Sequence, residues 1–482
     1  MIRCKTSCGV HVTLLLVGFF CGGSPVQAAD IALDWPEVQR PALFPAGQRV
    51  ACIGDSITRP GQYIAYLYDF YATRRPDQPI RLYNFGIGGD TLADALERYD
   101  YDIKVVPCDR AVILLGMNDA YRGGYVPGSE ADAVIVGRRA SVIATYDQRL
   151  GMLLDRLTTD HLTPILCTPT IYDEVTTSKC PLTQHGDQAL MALAKVVKTR
   201  ATVGGYSLIE LHAPLLAVNG TLHATDPAAS IIGGDRVHPT DAGQAVMAWA
   251  FLRQQGASAE IAAVAIDAGT RTIASARNAV VEDLKIAPDQ VSFRYLPAAL
   301  PLPVDKGWAA AAACIPPEQF LNSESLTITG LASGTWILSI GGVEVARPSA
   351  AELAAGINMA VLPKTPQREA ANAIHARNIV RQTIEQSIRA VHYVESKVLK
   401  MPSGAPAEIW QEKIAAWLAS PEYQKRPAND YLKQAGARFA QDKPRRQALY
   451  QDLEAATVAM YSAFPRSGWQ VQLVRHSALK VP

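Results

Sequence analysis

Between residues 48 and 256 the chain alternates repeatedly between two hydrophobic patterns, and no other feature restricts its fold so tightly. Short, almost wholly apolar runs such as RVACIG, IRLYNFG, RAVILLG, TPILCTPT and YSLIEL form one pattern. Longer stretches with apolar residues every three or four positions form the other, as in GQYIAYLYDFYATRR and RRASVIATYDQRLGMLLDRLTTD. A strand that is apolar on both faces has to be covered on both faces. The alternation therefore predicts α/β architecture, a parallel sheet with helices on either side. Such folds place their sites in the crevice at the carboxyl ends of the strands.

The chain has 482 residues, more than one such layer needs. After Gly256 the texture changes to short strands (IAAVAIDA, QVSFRYLP, SLTITGL, TWILSIGGVEVARP), and residues 257–362 read as a small, mainly β unit. Gly341 and Gly342 suit a two-residue hairpin turn, whose central positions both take positive φ. Residues 363–482 read as a helical C-terminal region, led by the long periodic segment REAANAIHARNIVRQTIEQSIRAVHYVESKVL. Basic residues outnumber acidic ones in this tail, which is expected to be a solvated helical face rather than a polyanion site. The net charge of the whole chain is +1, so no global field favours nucleic acid or an anionic membrane.

The N-terminus carries a basic start (Arg3, Lys5), an apolar run from Val10 to Phe20, and small residues ending at Ala28. This is the pattern of a signal peptide over residues 1–28, with export to a periplasmic or extracellular location. The apolar run is too short to span a bilayer, which takes about 20 residues, so no membrane span is expected once the leader is gone. Cys21 raises a lipid-attachment alternative, weakened by the bulky Phe20 before it. Cys52, Cys108, Cys167, Cys180 and Cys314 then remain, an odd number with no CxxC spacing, so neither a disulfide framework nor a cysteine-rich metal site is read here.

Four stretches with chemical potential fall at or near strand ends. Ser56 in CIGDSITRPG follows an apolar strand; it can be a nucleophile or the cap of the next helix. Gly88 and Gly89 in NFGIGGDT let the backbone approach a ligand and aim an N–H at it, or simply make a tight turn. Asn118 in LLGMNDA can point its amide into the crevice or serve a turn. Asp235 and His238 in GGDRVHPTDAG can act as a pair: one imidazole nitrogen faces a serine while the carboxylate holds the other. Together these supply a nucleophile, a base with its orienting carboxylate, and oxyanion donors at one sheet edge.

In order and content these blocks (GDSIT, GIGGDT, GMND, DRVH) resemble those of the SGNH, or GDSL-type, hydrolases over residues 48–256. The resemblance implies a three-layer α/β/α, flavodoxin-like hydrolase domain within residues 30–256. It also implies roles: Ser56 as nucleophile, His238 as its base, Asp235 orienting His238, and an oxyanion hole from the Ser56 and Gly89 amides and the Asn118 side chain. No metal or cofactor is called for. Gly88 departs from the family, where serine is common, a change expected to be tolerated.

The expected reaction is ester hydrolysis through an acyl-enzyme. With an exported enzyme and no exposed apolar helix visible near the blocks, short acyl groups on carbohydrates, acetyl above all, are the expected substrates. A lysophospholipase or general short-chain esterase is the alternative. Tyr121 and Tyr125, just after Asn118, are candidates for stacking on a sugar ring, against ordinary loop packing. His223 in GTLHATD is the alternative base for Ser56 if DRVH does not serve. A reading of another class makes residues 257–482 a glycan-binding or docking module on a scaffold. Oligomeric state is not legible.

Overall fold

The computed structural model of the protein describes residues 39–401 and 405–476. The signal-peptide pattern over residues 1–28, with Cys21, lies outside the described residues. Elements β1 (Arg49–Gly54), α1 (Gln62–Arg74), β2 (Arg81–Gly86), α2 (Leu92–Glu97), β3 (Arg110–Leu114), α3 (Ala133–Thr159), β4 (Thr163–Cys167), α4 (Gly186–Gly204), β5 (Ser207–Ile209), α5 (His212–Thr225) and α6 (Asp241–Gln254) build the first layer system. All five strands are parallel, in the order β2-β1-β3-β4-β5. This is the flavodoxin-like order, whose switch point lies between β1 and β3.

The apolar runs are covered on both faces as their composition requires. Along β1, Val50 and Cys52 pack into a core with α1, α5 and α6, while Ala51 and Ile53 pack into a second core with α2, α3 and α4. The result is a three-layer α/β/α fold. All five described cysteines are free thiols.

The chain continues through β6 (Glu260–Asp267), β7 (Thr272–Arg277), β8 (Ala279–Ala287), β9 (Gln290–Pro297), α7 (Lys306–Ala311), α8 (Pro317–Phe320), β10 (Ser323–Thr329), β11 (Trp336–Ile340), β12 (Val343–Ala346), α9 (Ala350–Ala355) and β13 (Ile357–Asn358). Then follow α10 (Pro366–Tyr393), α11 (Ala407–Ala419), α12 (Pro421–Gln424), α13 (Tyr431–Asp442), α14 (Arg446–Tyr461) and β14 (Trp469–Arg475). Two sheets, ordered β13-β10-β6-β7 and β12-β11-β14-β9-β8, face each other across a core that includes Val264, Phe293, Ile328, Trp336, Leu338 and Leu473. Gly341 (φ 60°) and Gly342 (φ 81°) turn β11 into β12, as their positions suggested.

Two features differ from the sequence reading. The β unit does not end near residue 362: β14 returns from beyond the last helix and lies between β11 and β9. Its alternating Val471 and Leu473 complete the buried face between those strands. The helical region is also no merely solvated appendage. Ala371, Ile374 and Ile388 of α10 and Leu449 and Leu453 of α14 join the two cores of the α/β layers. Arg381 and Arg389 are buried, because each meets a buried carboxylate, Glu385 and Asp102 respectively. These helices cover the β2 edge, where Glu385 accepts the Asn84 N–H and the Tyr461 hydroxyl accepts the Ile80 N–H. An open strand edge is thereby closed by side chains.

Candidate active site

Register brings the first three blocks level. Gly54 at the end of β1 pairs with Gly86 on β2 and with Leu114 on β3. Ser56, Gly88 and Gly116 each follow two residues later, so the chain segments bearing Ser56, Gly89 and Asn118 leave the sheet side by side. The Ser56 turn folds tightly back on its own strand. A Cβ at Gly54 would come within 2.1 Å of the Thr58 hydroxyl, so glycine is required there.

The alternative roles for these residues are filled by others. The N-cap of α1 is Gly61, not Ser56. Thr240 caps α6, accepting the Gly243 N–H, which leaves His238 free. His238 Nε2 lies 2.7 Å from Ser56 Oγ, and its Nδ1 lies 2.5 Å from Asp235 Oδ2. A carboxylate only accepts, so Nδ1 carries the proton and Nε2 accepts from the serine hydroxyl. Asp235 Oδ1 also accepts the N–H groups of Val237 and His238, which locks the loop. Partial burial pushes the Asp235 carboxyl up, but the His238 and Val237 amides and the imidazole outweigh it and hold the carboxyl below its ordinary range. The three side chains thus form one continuous hydrogen-bonded chain, half open to solvent at the crevice.

The donors beside it are prepared in different ways. Gly89 is exposed with φ 80°, a left-handed conformation that glycine adopts without strain. Asn118 is exposed as well, and its Nδ2 donates to the Asp90 carbonyl at 3.0 Å. The same Nδ2 also donates to Asp55 Oδ2 at 3.4 Å, a longer and weaker contact that a ligand oxygen can displace. Beneath them lie two carboxyls not singled out in the sequence. Asp55, next to Ser56, is fully buried and accepts the Ile57 N–H; burial pushes its carboxyl up to about 7. Asp119, next to Asn118, accepts the Leu92 N–H and is pushed up by burial to about 6. Both adjoin quoted motif residues, but only the fold reveals how little water reaches them.

His223 is elsewhere: its Nε2 lies 3.2 Å from Thr176 Oγ1, 3.1 Å from Asn219 Nδ2 and 3.6 Å from Asp173 Oδ1. The rings of Tyr121 and Tyr125 are taken up by the following helix. The Arg138 and Arg139 guanidinium groups sit 4.2 and 5.0 Å from their centroids. Both tyrosines thus take part in packing between this loop and α3. The expectation of no exposed apolar helix near the blocks needs correction. The first turn of α3, which those arginines tie to the Asn118 loop, exposes Val134 (79%) and Val136 (43%).

Residues 52–246 match the GDSL-like Lipase/Acylhydrolase family. An acetylxylan esterase of Geobacillus stearothermophilus is 29% identical over 231 residues, spanning 44% of this chain and 95% of that protein. A solved structure described as a gut microbial diltiazem-metabolizing enzyme superposes with a TM-score of 0.81 at 25% identity, covering 91% of this chain and 100% of its own. That likeness runs through the β unit and the C-terminal helices as well as the α/β layers.

Proposed function

From the premise that residues 52–246 form an SGNH-type serine hydrolase domain that splits ester bonds, we propose that the protein is an exported esterase removing short acyl groups, acetyl above all, from carbohydrates. The single observation that carries the chemistry is the chain Ser56–His238–Asp235 beside Gly89 and Asn118. Similarity to an acetylxylan esterase over nearly that protein's whole length supports the acetyl and carbohydrate preference. The leader pattern at residues 1–28 supports export. The scaffold-only reading of the α/β domain falls with the family match.

In this mechanism Ser56 Oγ attacks the ester carbonyl as its proton passes to His238 Nε2. Negative charge gathers on the former carbonyl oxygen, where the Ser56 and Gly89 amides meet it together with the Asn118 amide, drawn from its long contact with Asp55. Asp235 stabilises the imidazolium. His238 then returns the proton to the leaving alkoxide, and an acyl-serine remains. Water, deprotonated by His238, attacks that acyl group; the carboxylic acid departs and the serine regains its proton.

The exposed apolar turn of α3 favours a second reading, an esterase for longer acyl chains or lysophospholipids. A panel of acetylated xylooligosaccharides, nitrophenyl esters of increasing acyl length and lysophospholipids separates the two. Acetate release from the oligosaccharides at the highest kcat/KM supports the proposal; a clear preference for lysophospholipid overturns it.

A further inference from the structure

The loop that carries Gly89 is held from outside its own domain. Directly after Gly89, the Asp90 carboxylate is fully buried and meets two cations. Arg98 Nε, from the end of α2, lies 2.6 Å from Asp90 Oδ2. Lys397 Nζ lies 2.9 Å from Asp90 Oδ1 and 2.5 Å from Asp94 Oδ1. Lys397 belongs to the helical region, in a wide π-type turn, Val394–Val398, that follows α10. Such turns recur at functional sites because they re-aim a side chain out of helical register.

Each partner of Lys397 bears on a donor of the site. The Asp90 carbonyl accepts the Asn118 amide at 3.0 Å. Asp94 accepts the Thr91 N–H at 2.9 Å, closing the capping box of α2 immediately beyond Asp90. Tyr393, just ahead of the π turn, lies against the other end of the loop: a Cβ at Gly88 would meet its ring at 3.0 Å. The serine common at this position elsewhere in the family would be crowded here by the C-terminal helix, so glycine suits this chain. Helix α10 is itself anchored to the same domain. Arg389 holds Asp102 with two contacts of 2.9 Å, and Arg98 reaches Asp102 at 2.6 Å.

We propose that Lys397 is a positioning residue for ester hydrolysis: by clamping Asp90 and Asp94 it holds the Gly89 amide and the Asn118 side chain where the oxyanion forms. The proposal rests on the reading of Gly89 and Asn118 as oxyanion donors. Without the ammonium group, Asp90 Oδ1 is left buried with no partner and Arg98 alone balances the carboxylate through Oδ2. The loop then gains free energy by swinging toward water, carrying the Asp90 carbonyl and Gly89 with it. Because these groups act on charge that develops only in the transition state, the loss falls on kcat rather than KM.

The test uses the full chain and p-nitrophenyl acetate, with wild type, Ser56→Ala, Lys397→Met, Lys397→Arg and Arg81→Met. Arg81 pairs with Glu454 at 2.7 Å and so also ties the domain to the C-terminal helices, but it does not touch the loop. Lys397→Met is expected to lose roughly 10-fold or more in kcat with little change in KM, since displaced oxyanion donors cost on that scale. Lys397→Arg restores most of the rate, and Arg81→Met stays near wild type at a comparable loss of thermal stability. Should Lys397→Met not fold, Lys397→Gln, which keeps an N–H donor without the charge, is read the same way. A kcat within about twofold of wild type in the uncharged variant, or an equal loss in Arg81→Met, overturns the proposal. Wild-type rates in Ser56→Ala would instead overturn the reading of the site itself.

Discussion

Ser56 Oγ and His238 Nε2 lie 2.7 Å apart although 182 positions separate them in the chain. The contact joins the turn that leaves β1 to the loop that enters α6, so it exists only when the α/β layers are fully assembled. Asp235 is the one partner supplied locally, three residues before His238 on the same loop.

Replacing Ser56 with alanine should abolish ester hydrolysis and leave folding nearly untouched. The side chain caps no helix and makes one hydrogen bond at a half-open site, so its loss should cost no more than about 0.5 kcal/mol. Parallel thermal unfolding and p-nitrophenyl acetate turnover check this. A marked loss of stability would point to a structural serine.

His238→Ala should cost at least as much kcat as Asp235→Ala. The imidazole performs an obligatory proton transfer, whereas Asp235 orients it and also fixes the loop through the Val237 and His238 amides. Combined with Ser56→Ala, neither loss should add, because the three groups act as one unit. Additive losses in the double variants would contradict that unit.

Acetate esters should show higher kcat/KM than octanoate esters. The exposed Val134 and Val136 give this prediction its edge. If they seat an acyl chain, Val134→Ser should depress octanoate turnover while sparing acetate. If acetyl is the natural group, the substitution changes neither.

Asp55→Asn should stabilise the protein in a pH-dependent way. The buried carboxyl stays protonated until about 7, whereas in the unfolded chain it ionises in the ordinary aspartate range. Its folded value is thus raised. The protonated form serves the native state fully below the unfolded value, and that contribution is lost as pH climbs toward 7. The variant carries no such penalty and keeps an oxygen for the Ile57 N–H; it gives up the long contact from Asn118 Nδ2, a cost that does not vary with pH. Its melting-temperature advantage over wild type should grow from pH 4 to pH 7 and then level off, worth a few kcal/mol at the plateau. An advantage independent of pH would contradict the buried, protonated carboxyl.

Much of the site was legible because its parts are local. An apolar run ending in Gly-Asp-Ser, a glycine pair and an asparagine after two more such runs, and Asp and His three apart are each short-range signals. The parallel register that levels Gly54, Gly86 and Leu114 then follows from the layer type. What stayed hidden depends on distant partners. Strand β14 follows a run of helices, and nothing near Trp469 announces β9 and β11 as its neighbours. Lys397 and Arg389 look like ordinary charges on a basic helix until the buried carboxylates Asp90 and Asp102 opposite them are known. The exposed start of α3 was missed for the converse reason: periodicity indicates which face of a helix is apolar, not which of its turns another element covers.

The most direct measurement is peptide mass spectrometry of the enzyme quenched during turnover of an acetate ester, in wild type and in Asp235→Ala, where slower deacylation lets the intermediate accumulate. The account predicts a single acetyl group on the peptide containing Ser56, chased off by further incubation in water and missing from Ser56→Ala. An acetyl group that turns over on another residue, or full-rate hydrolysis with no acyl-enzyme and no dependence on Ser56, would contradict it.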